Sequence, residues 1–177
     1  MKIRKNCLRI KMIIIAVDPG LSGGLAWQIN NKILAQKMPD TPKDIFSLLQ
    51  LLSQADKDVK CYIERVGGYV SGNSSIAAVK FAKHCGNLEM ALIALQIPYY
   101  EILPAKWQAF LIGKPNYPKI PKEVQGIVRR QILAKRKIER KNKIKAKVQA
   151  LYPHLKITLA TSDSLGILYF GIAQEKK

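Results

Sequence analysis

Histidine and cysteine are nearly missing from this chain of 177 residues, which holds only His84 and His154 of the one and Cys7, Cys61 and Cys85 of the other. Neither histidine has a recognisable triad context, so a Ser-His-Asp hydrolase has nothing to build on. Three cysteines cannot all pair, and none stand at CxxC spacing. That argues against a disulfide framework and a zinc site, and implies a reducing, cytoplasmic setting. Long apolar runs are missing too. The Ile-Ile-Ile-Ala-Val block at 13–17 is too short to span a membrane, and the apolar stretch at 12–17 has neither the length nor the cleavage pattern of a signal peptide.

Acid is the scarce charge: 12 Asp and Glu stand against 30 Lys and Arg, for a net +18. Residues 1–11 carry five Lys/Arg and no acid, and residues 114–147 carry thirteen Lys/Arg against Glu123 and Glu139, so all but two of the 18 net charges reside in these two stretches. The remainder is a nearly neutral body, 48% apolar over the whole chain, long enough for one domain with a proper core. A basic strip of this density is the footprint expected of a partner with a phosphate backbone; a solvated face is the bland alternative. It lacks the clean apolar face that a membrane-lying helix needs. Because the fold signals begin at Met12, residues 1–11 are expected to be a flexible basic tail or an upstream start, and 12–177 a single domain containing the basic segment 114–147.

Periodicity orders the rest. The block at 13–17 reads as a strand buried on both faces, ending in Asp18 and a turn-prone Pro19-Gly20. GGLAWQI reads as a second strand, and Asn30-Asn31, a pair tolerant of positive φ, turns the chain into a third. A helix follows with Pro42 in its first turn and Ile45, Leu48, Leu49 and Leu52 at helical spacing. VKCYIE is a fourth strand ending in Glu64, ahead of the glycine-rich RVGGYVSGN. A long helix over 74–95 bears Ile76, Val79, Phe81, Leu88, Leu92 and Leu95, with Gly86 in its middle, while His84 is expected on its surface. PYYEIL is a fifth strand, and 105–112 a helix whose Trp107 is assigned to the core. Ile144, Val148 and Leu151 mark a further helical face that stops before Pro153. Thr161 is expected as the N-cap of a last helix over 162–173, which puts Asp163 in its first turn.

Each acid alone has an ordinary account: Asp18 a turn cap, which position by itself favours over a metal ligand, and Asp163 a carboxylate favoured by the helix dipole. Together they have another. VDPGLSGGLA with Asp18, YIERV with Glu64, GNLEMALIALQIPYYEILPAKWQ, and KNKIKAKVQALYP followed by ITLATSDSLGILYFG with Asp163 resemble the RuvC-type Holliday junction resolvases, particularly the short phage-like branch. The resemblance covers about 13–171. It implies an α/β, ribonuclease H-like fold, a mixed five-stranded sheet flanked by helices in the order βββαβαβα. It also implies a structure-selective endonuclease that resolves four-way junctions or other branched DNA with Mg²⁺, Mn²⁺ substituting.

Two Mg²⁺ ions about 3.5–4 Å apart suit in-line phosphodiester hydrolysis and take hard oxygen ligands. The resemblance implies that Asp18 bridges the ions, Glu64 completes one site and Asp163 the other. Lys141 becomes the catalytic cation, with Lys106, Lys143 and Lys145 as DNA contacts. Tyr69 is either an aromatic that stacks on opened bases or a loop tyrosine packed locally. Ala160 departs from the family, whose better-known members place an acid or histidine there; Thr161, Ser162, a backbone carbonyl or water are the candidates to fill the gap. A homodimer, with Gly86 allowing close helix contact, matches the symmetry of a four-way junction. Two rival readings are a non-catalytic branched-DNA-binding protein and an actin-like-fold phosphotransferase, the latter because DPGLSGG also resembles a phosphate loop.

Overall fold

An unbroken apolar strand must be covered on both sides, and the computed structural model, which describes residues 12–67 and 74–176, shows how. The expected tail at 1–11 and Tyr69 lie outside the described residues. The elements are β1 (Ile13–Asp18), β2 (Gly24–Ile29), β3 (Lys32–Lys37), α1 (Pro42–Ala55), β4 (Val59–Glu64), α2 (Ser75–Ala94), β5 (Tyr99–Ile102), α3 (Pro104–Ile112), α4 (Gly126–Leu151) and α5 (Leu159–Gln174). The sheet order is β3-β2-β1-β4-β5. The first three strands are antiparallel neighbours, whereas β4 and β5 run parallel to β1. This is the mixed five-stranded sheet expected.

Side chains alternate across a strand, so β1 feeds two cores. Ile13, Ile15 and Val17 join Ile45 and Leu49 of α1 and Leu88 and Leu92 of α2. Ile14 and Ala16 join Trp107 of α3, Ile144 and Val148 of α4, and Leu165 and Leu168 of α5 on the other face. The Asn30 and Asn31 turn has φ 50° and 64°, the left-handed pair that a two-residue hairpin requires. Thr41 caps α1 by accepting from the Asp44 N–H at 3.1 Å, and Pro42 occupies its first position. β3 is an edge strand, mostly exposed and ending in lysines at both ends, which discourages pairing with another chain.

Three expectations are corrected. The last helix begins at Leu159, not Ser162: Thr158 is its cap, and the Thr161 hydroxyl accepts from the Thr158 N–H at 3.1 Å. The chain therefore enters the helix one turn earlier, and Asp163 lies beyond its first turn. His84 is buried rather than on the helix surface, because it continues the face of Leu88 and Leu92 at i, i+4, i+8. Burial lowers the pKa of its imidazole, which favours the neutral form. Third, the helical face read at 144–151 is the end of a 26-residue helix that starts within the basic strip. Only Ile144 and Val148 are buried along it, so the rest is sustained by strong helix formers such as Lys, Arg, Ala and Gln rather than by an apolar face.

α5 sits close to its neighbours. Glu175, just past its end, accepts from Tyr62 Oη at 2.6 Å and Lys60 Nζ at 2.7 Å, tying it to β4. Gly166, midway along, lies so near α3 that a Cβ there would stand 2.7 Å from the Trp107 ring and 3.0 Å from Leu111 Cδ2. Among the described residues, no helix is long and apolar enough to cross a membrane. A Gly166→Ala substitution gains about 1 kcal/mol of helix propensity but overpacks a wholly buried ring at a cost of about 1–3 kcal/mol. The net expectation is a lower urea midpoint with an unchanged m-value; a raised midpoint would show that α3 and α5 have room to separate.

Candidate active site

The carboxyl ends of parallel strands are where an α/β sheet offers reactive groups to solvent. β1 and β4 are such a pair, with Val17 opposite Ile63, so Asp18 and Glu64 leave adjacent strand ends side by side. The third acid arrives from above. Asp18 pairs with Gly24 of β2, and a Cβ on Gly24 would stand 2.5 Å from the Ala160 carbonyl oxygen. Ala160 is in the first turn of α5, so Asp163, one turn later, is brought over the Asp18 end of the sheet. The helix dipole fades within the first turn and gives Asp163 little there. Its ordinary explanation as a dipole-stabilised carboxylate is thereby lost.

The charges of the three act on one another. Asp18 is pushed up to about 8, first by burial, then by the charges of Asp163 and Glu64 and by its hydrogen bond with Glu64, while Lys141 pulls the other way. Burial likewise raises Glu64; its hydrogen bond with Asp18 lowers it and the charge of Asp163 raises it. Asp163 is raised by burial and restrained by Lys141, the Ser162 hydroxyl and Arg140. Trp107 Nε1 donates to Glu64 Oε1 at 3.4 Å, and Ser162 Oγ to Asp163 Oδ1 at 3.4 Å.

Of the residues singled out from sequence, the structure gathers Asp18, Glu64, Asp163 and Lys141. Lys106, Lys143 and Lys145 are exposed and are not among the cations acting on the carboxylates. Lys106 Nζ instead stands 5.8 Å from the Phe170 ring centroid. Thr161 is committed to capping α5, which leaves Ser162 as the hydroxyl beside the acids. Two participants had escaped notice. Arg140, on the face of α4 that carries Ile144 and Val148, acts on Glu64 and Asp163, but nothing in a run of thirteen cations distinguishes it. Trp107 is fully buried, as expected of a core residue, yet also bonds Glu64.

Among the described residues, no three or more His, Cys, Asp or Glu side chains stand close enough together to hold a metal ion as they are placed. The carboxylates are instead strung from β4 through β1 to α5, with Asp18 sensing both others. Hard oxygen donors held together against mutual repulsion suit a divalent cation, which would relieve that repulsion.

Comparison with solved structures finds Thermus thermophilus RuvC at TM-score 0.55 and 11% identity, over 93% of this chain and 96% of that one. A second match is T. thermophilus RuvC in complex with a Holliday junction substrate, at TM-score 0.55 and 12% identity, over 93% and 95% of the two chains. The fold is ribonuclease H-like. No family model matches the chain, and no curated protein matches its sequence. At such low identity the shared fold is what these likenesses establish, and the chemistry rests on the residues.

A carboxyl held above its ordinary value contributes stability that is fully present below that value and lost as pH rises through the elevated one. For Asp18 the window runs from 3.8 to about 8. In EDTA, the melting temperature of the wild type should therefore fall relative to Asp18→Asn across this window. By pH 8.5 the variant should melt higher by at least about 3 °C, and Mg²⁺ should narrow the gap. Parallel melting curves of the two proteins from pH 4 to 8.5 would mean that Asp18 is not crowded by like charge.

Proposed function

We propose that this chain is a metal-dependent endonuclease of branched DNA, with four-way junctions as its foremost substrate. The observation that carries this reading is the gathering of Asp18, Glu64 and Asp163 at one end of a ribonuclease H-like sheet, with Lys141 and Arg140 beside them. Asp18, Glu64 and Asp163 are the residues that would hold Mg²⁺, or Mn²⁺ in its place. When bound, the metal supplies Lewis acidity at the phosphoryl oxygen and a more acidic water.

The chain's own groups do the rest. A water oxygen bonds to phosphorus in line as the bond to the 3′ oxygen breaks; the water gives up a proton to solvent and the departing 3′ oxygen takes one from it, leaving a 5′-phosphate and a 3′-hydroxyl. Lys141 and Arg140 balance the negative charge that grows on the phosphate. The Trp107 N–H and the Ser162 hydroxyl hold the Glu64 and Asp163 carboxylates in orientation. The exposed cations of α4, including Lys143 and Lys145, track the DNA backbone, with Lys106 as a further contact; they confer salt-dependent affinity and little sequence preference. The tail 1–11 adds to this charge, and Tyr69 stands as the candidate for stacking on opened bases.

A two-fold pair of sites suits a four-way junction, and α2 offers the surface for a homodimer. Ile76, Val79, Lys83, Gly86, Met90 and Ile93 are all exposed and recur at alternating spacings of three and four along one stripe. A Cβ on Gly86 would meet nothing within 4 Å, so this glycine serves no contact inside the chain. Two copies of α2 crossing antiparallel at Gly86 would set Val79 of each against Ile93 of the other, and Lys83 against Glu89. A self-complementary patch of this kind is what a two-fold interface requires. In sedimentation at micromolar concentration, Lys83→Glu should shift the wild-type dimer to monomer and Lys83→Glu with Glu89→Lys should restore it; a monomeric wild type would end the dimer reading.

One observation favours a second reading, a protein that binds branched DNA without cutting it: Ala160 offers no fourth ligand, and its carbonyl is closed over by Gly24. Nicking of a labelled four-way junction beside linear duplex in Mg²⁺ separates the two. The expected outcome is junction-selective cleavage, abolished by Asp18→Asn and reduced about 10²–10³-fold by Lys141→Ala. Binding without cleavage in both Mg²⁺ and Mn²⁺ would establish the non-catalytic reading, and cleavage surviving Asp18→Asn would remove the metal assignment.

A further inference from the structure

Beside the carboxylates, between α3, the segment that follows it and α4, lies a cavity of about 850 Å³ that the chemistry above does not use. Ala105, Gln108, Ala109 and Ile112 line it at i, i+3, i+4 and i+7, one face of α3, giving an apolar wall with one amide. Arg140 and Lys143 of α4 line it as well, and no acid does. Tyr117 belongs to the lining and is pinned in place. Its hydroxyl donates to the Arg136 carbonyl at 3.2 Å, the Arg136 guanidinium lies 4.9 Å from its ring centroid, and Arg136 Nη2 donates to the Pro118 carbonyl at 2.7 Å. The wall is therefore preformed rather than a loose loop.

Two lining residues relate the cavity to the acids. Leu103 directly follows Ile102, the register partner of Glu64. Arg140 lines the cavity and also acts on Glu64 and Asp163, so one cation serves both places. An anionic ligand with a flat apolar body and polar edges matches all of these features.

We propose that this cavity receives a single unpaired nucleotide flanking the phosphate that is cut, its base against α3 and Tyr117 and its phosphate on Arg140 and Lys143. The inference rests on the branched-DNA reading and adds to it a means of selection. Its volume lies within the ~300–1,000 Å³ of ligand sites and admits a nucleotide, whereas a duplex is too wide to enter. Extruding a base costs least where it is already unpaired, as at the crossover of a junction. Stacking on an apolar wall tolerates any base, so the pocket reads strand opening first, with the Gln108 amide biasing base identity.

The test uses the whole protein with four-way junctions carrying 5-iodouracil at the nucleotide on either side of the cut phosphate, in Ca²⁺ to suppress cutting. Near-ultraviolet irradiation should crosslink one of the two positions to Tyr117, located by mass spectrometry of the digest. Ala109→Phe, which sets a ring against the α3 wall where the base would stack, should remove that crosslink and weaken junction binding about 10-fold while leaving linear-duplex binding unchanged. Gln108→Ala provides a milder change on the half-exposed wall and should alter the preference among bases at the cut. Crosslinking only elsewhere, or junction affinity unchanged in Ala109→Phe, overturns the assignment. If the wild type binds and cuts junctions but gives no Tyr117 crosslink, the cavity assignment falls alone. If it neither binds nor cuts them, both readings fall.

Discussion

A helix backbone can lie directly on a sheet only where both surfaces give up side chains, and the placement of α5 depends on that concession. Gly24 of β2 lets the Ala160 carbonyl descend to the end of β1, and Gly166 lets the middle of the helix close on Trp107. Glu175 fixes its far end through Tyr62 and Lys60. With these points set, Asp163 has one place to be, one turn past Ala160 and over Asp18. Trp107, held between α5 and the sheet, is in turn aimed at Glu64. Core packing and the polar cluster are thus one arrangement: a shift of α5 that relieved Trp107 would also move a carboxylate.

The cluster is an island of negative charge in a strongly basic chain. Long-range attraction from the surrounding cations does not prevent Asp18 from being pushed up to about 8, because burial and two neighbouring carboxylates act at close range. Exposed charges are screened by water, and those half-buried at contact distance are not. Among the described residues, Lys141 opposes the effect at Asp18, and Lys141 with Arg140 at Asp163. Both sit on the face of α4 that Ile144 and Val148 turn inward, so two apolar side chains decide which two of many cations meet the acids. The helix that bears much of the exposed positive charge is thereby coupled mechanically to the acids.

Strong local signals were legible along the chain. The strand at 13–17 was readable because its apolar run is short and bounded by turn residues, the hairpin because Asn30-Asn31 tolerates positive φ, and α1 because Pro42 marks its start and Ile45, Leu48, Leu49 and Leu52 recur at helical spacing. The start of α5 was misplaced by one turn because Thr158 and Thr161 are both competent caps, and only packing chose between them. His84 was misread for a related reason: a polar residue at a core-facing position cannot be told from a surface one until the opposing element is known. The long helix through the basic strip left no amphipathic trace, since few of its residues are buried.

The amino-acid sequence by itself determined the order of elements, the concentration of positive charge, and the delivery of Asp18 and Glu64 to strand ends, because strand termini and helical periodicity are local properties. Tertiary structure alone decided that these acids meet Asp163, that Arg140 and Lys141 rather than their neighbours attend them, and that Trp107 bonds Glu64. It also decided that a cavity opens between α3 and α4. These are relations between distant segments, as Glu64–Trp107, 43 positions apart, and Asp18–Asp163, 145 positions apart, illustrate. No local pattern encodes such distances; they follow from how closely the layers of the fold can approach one another.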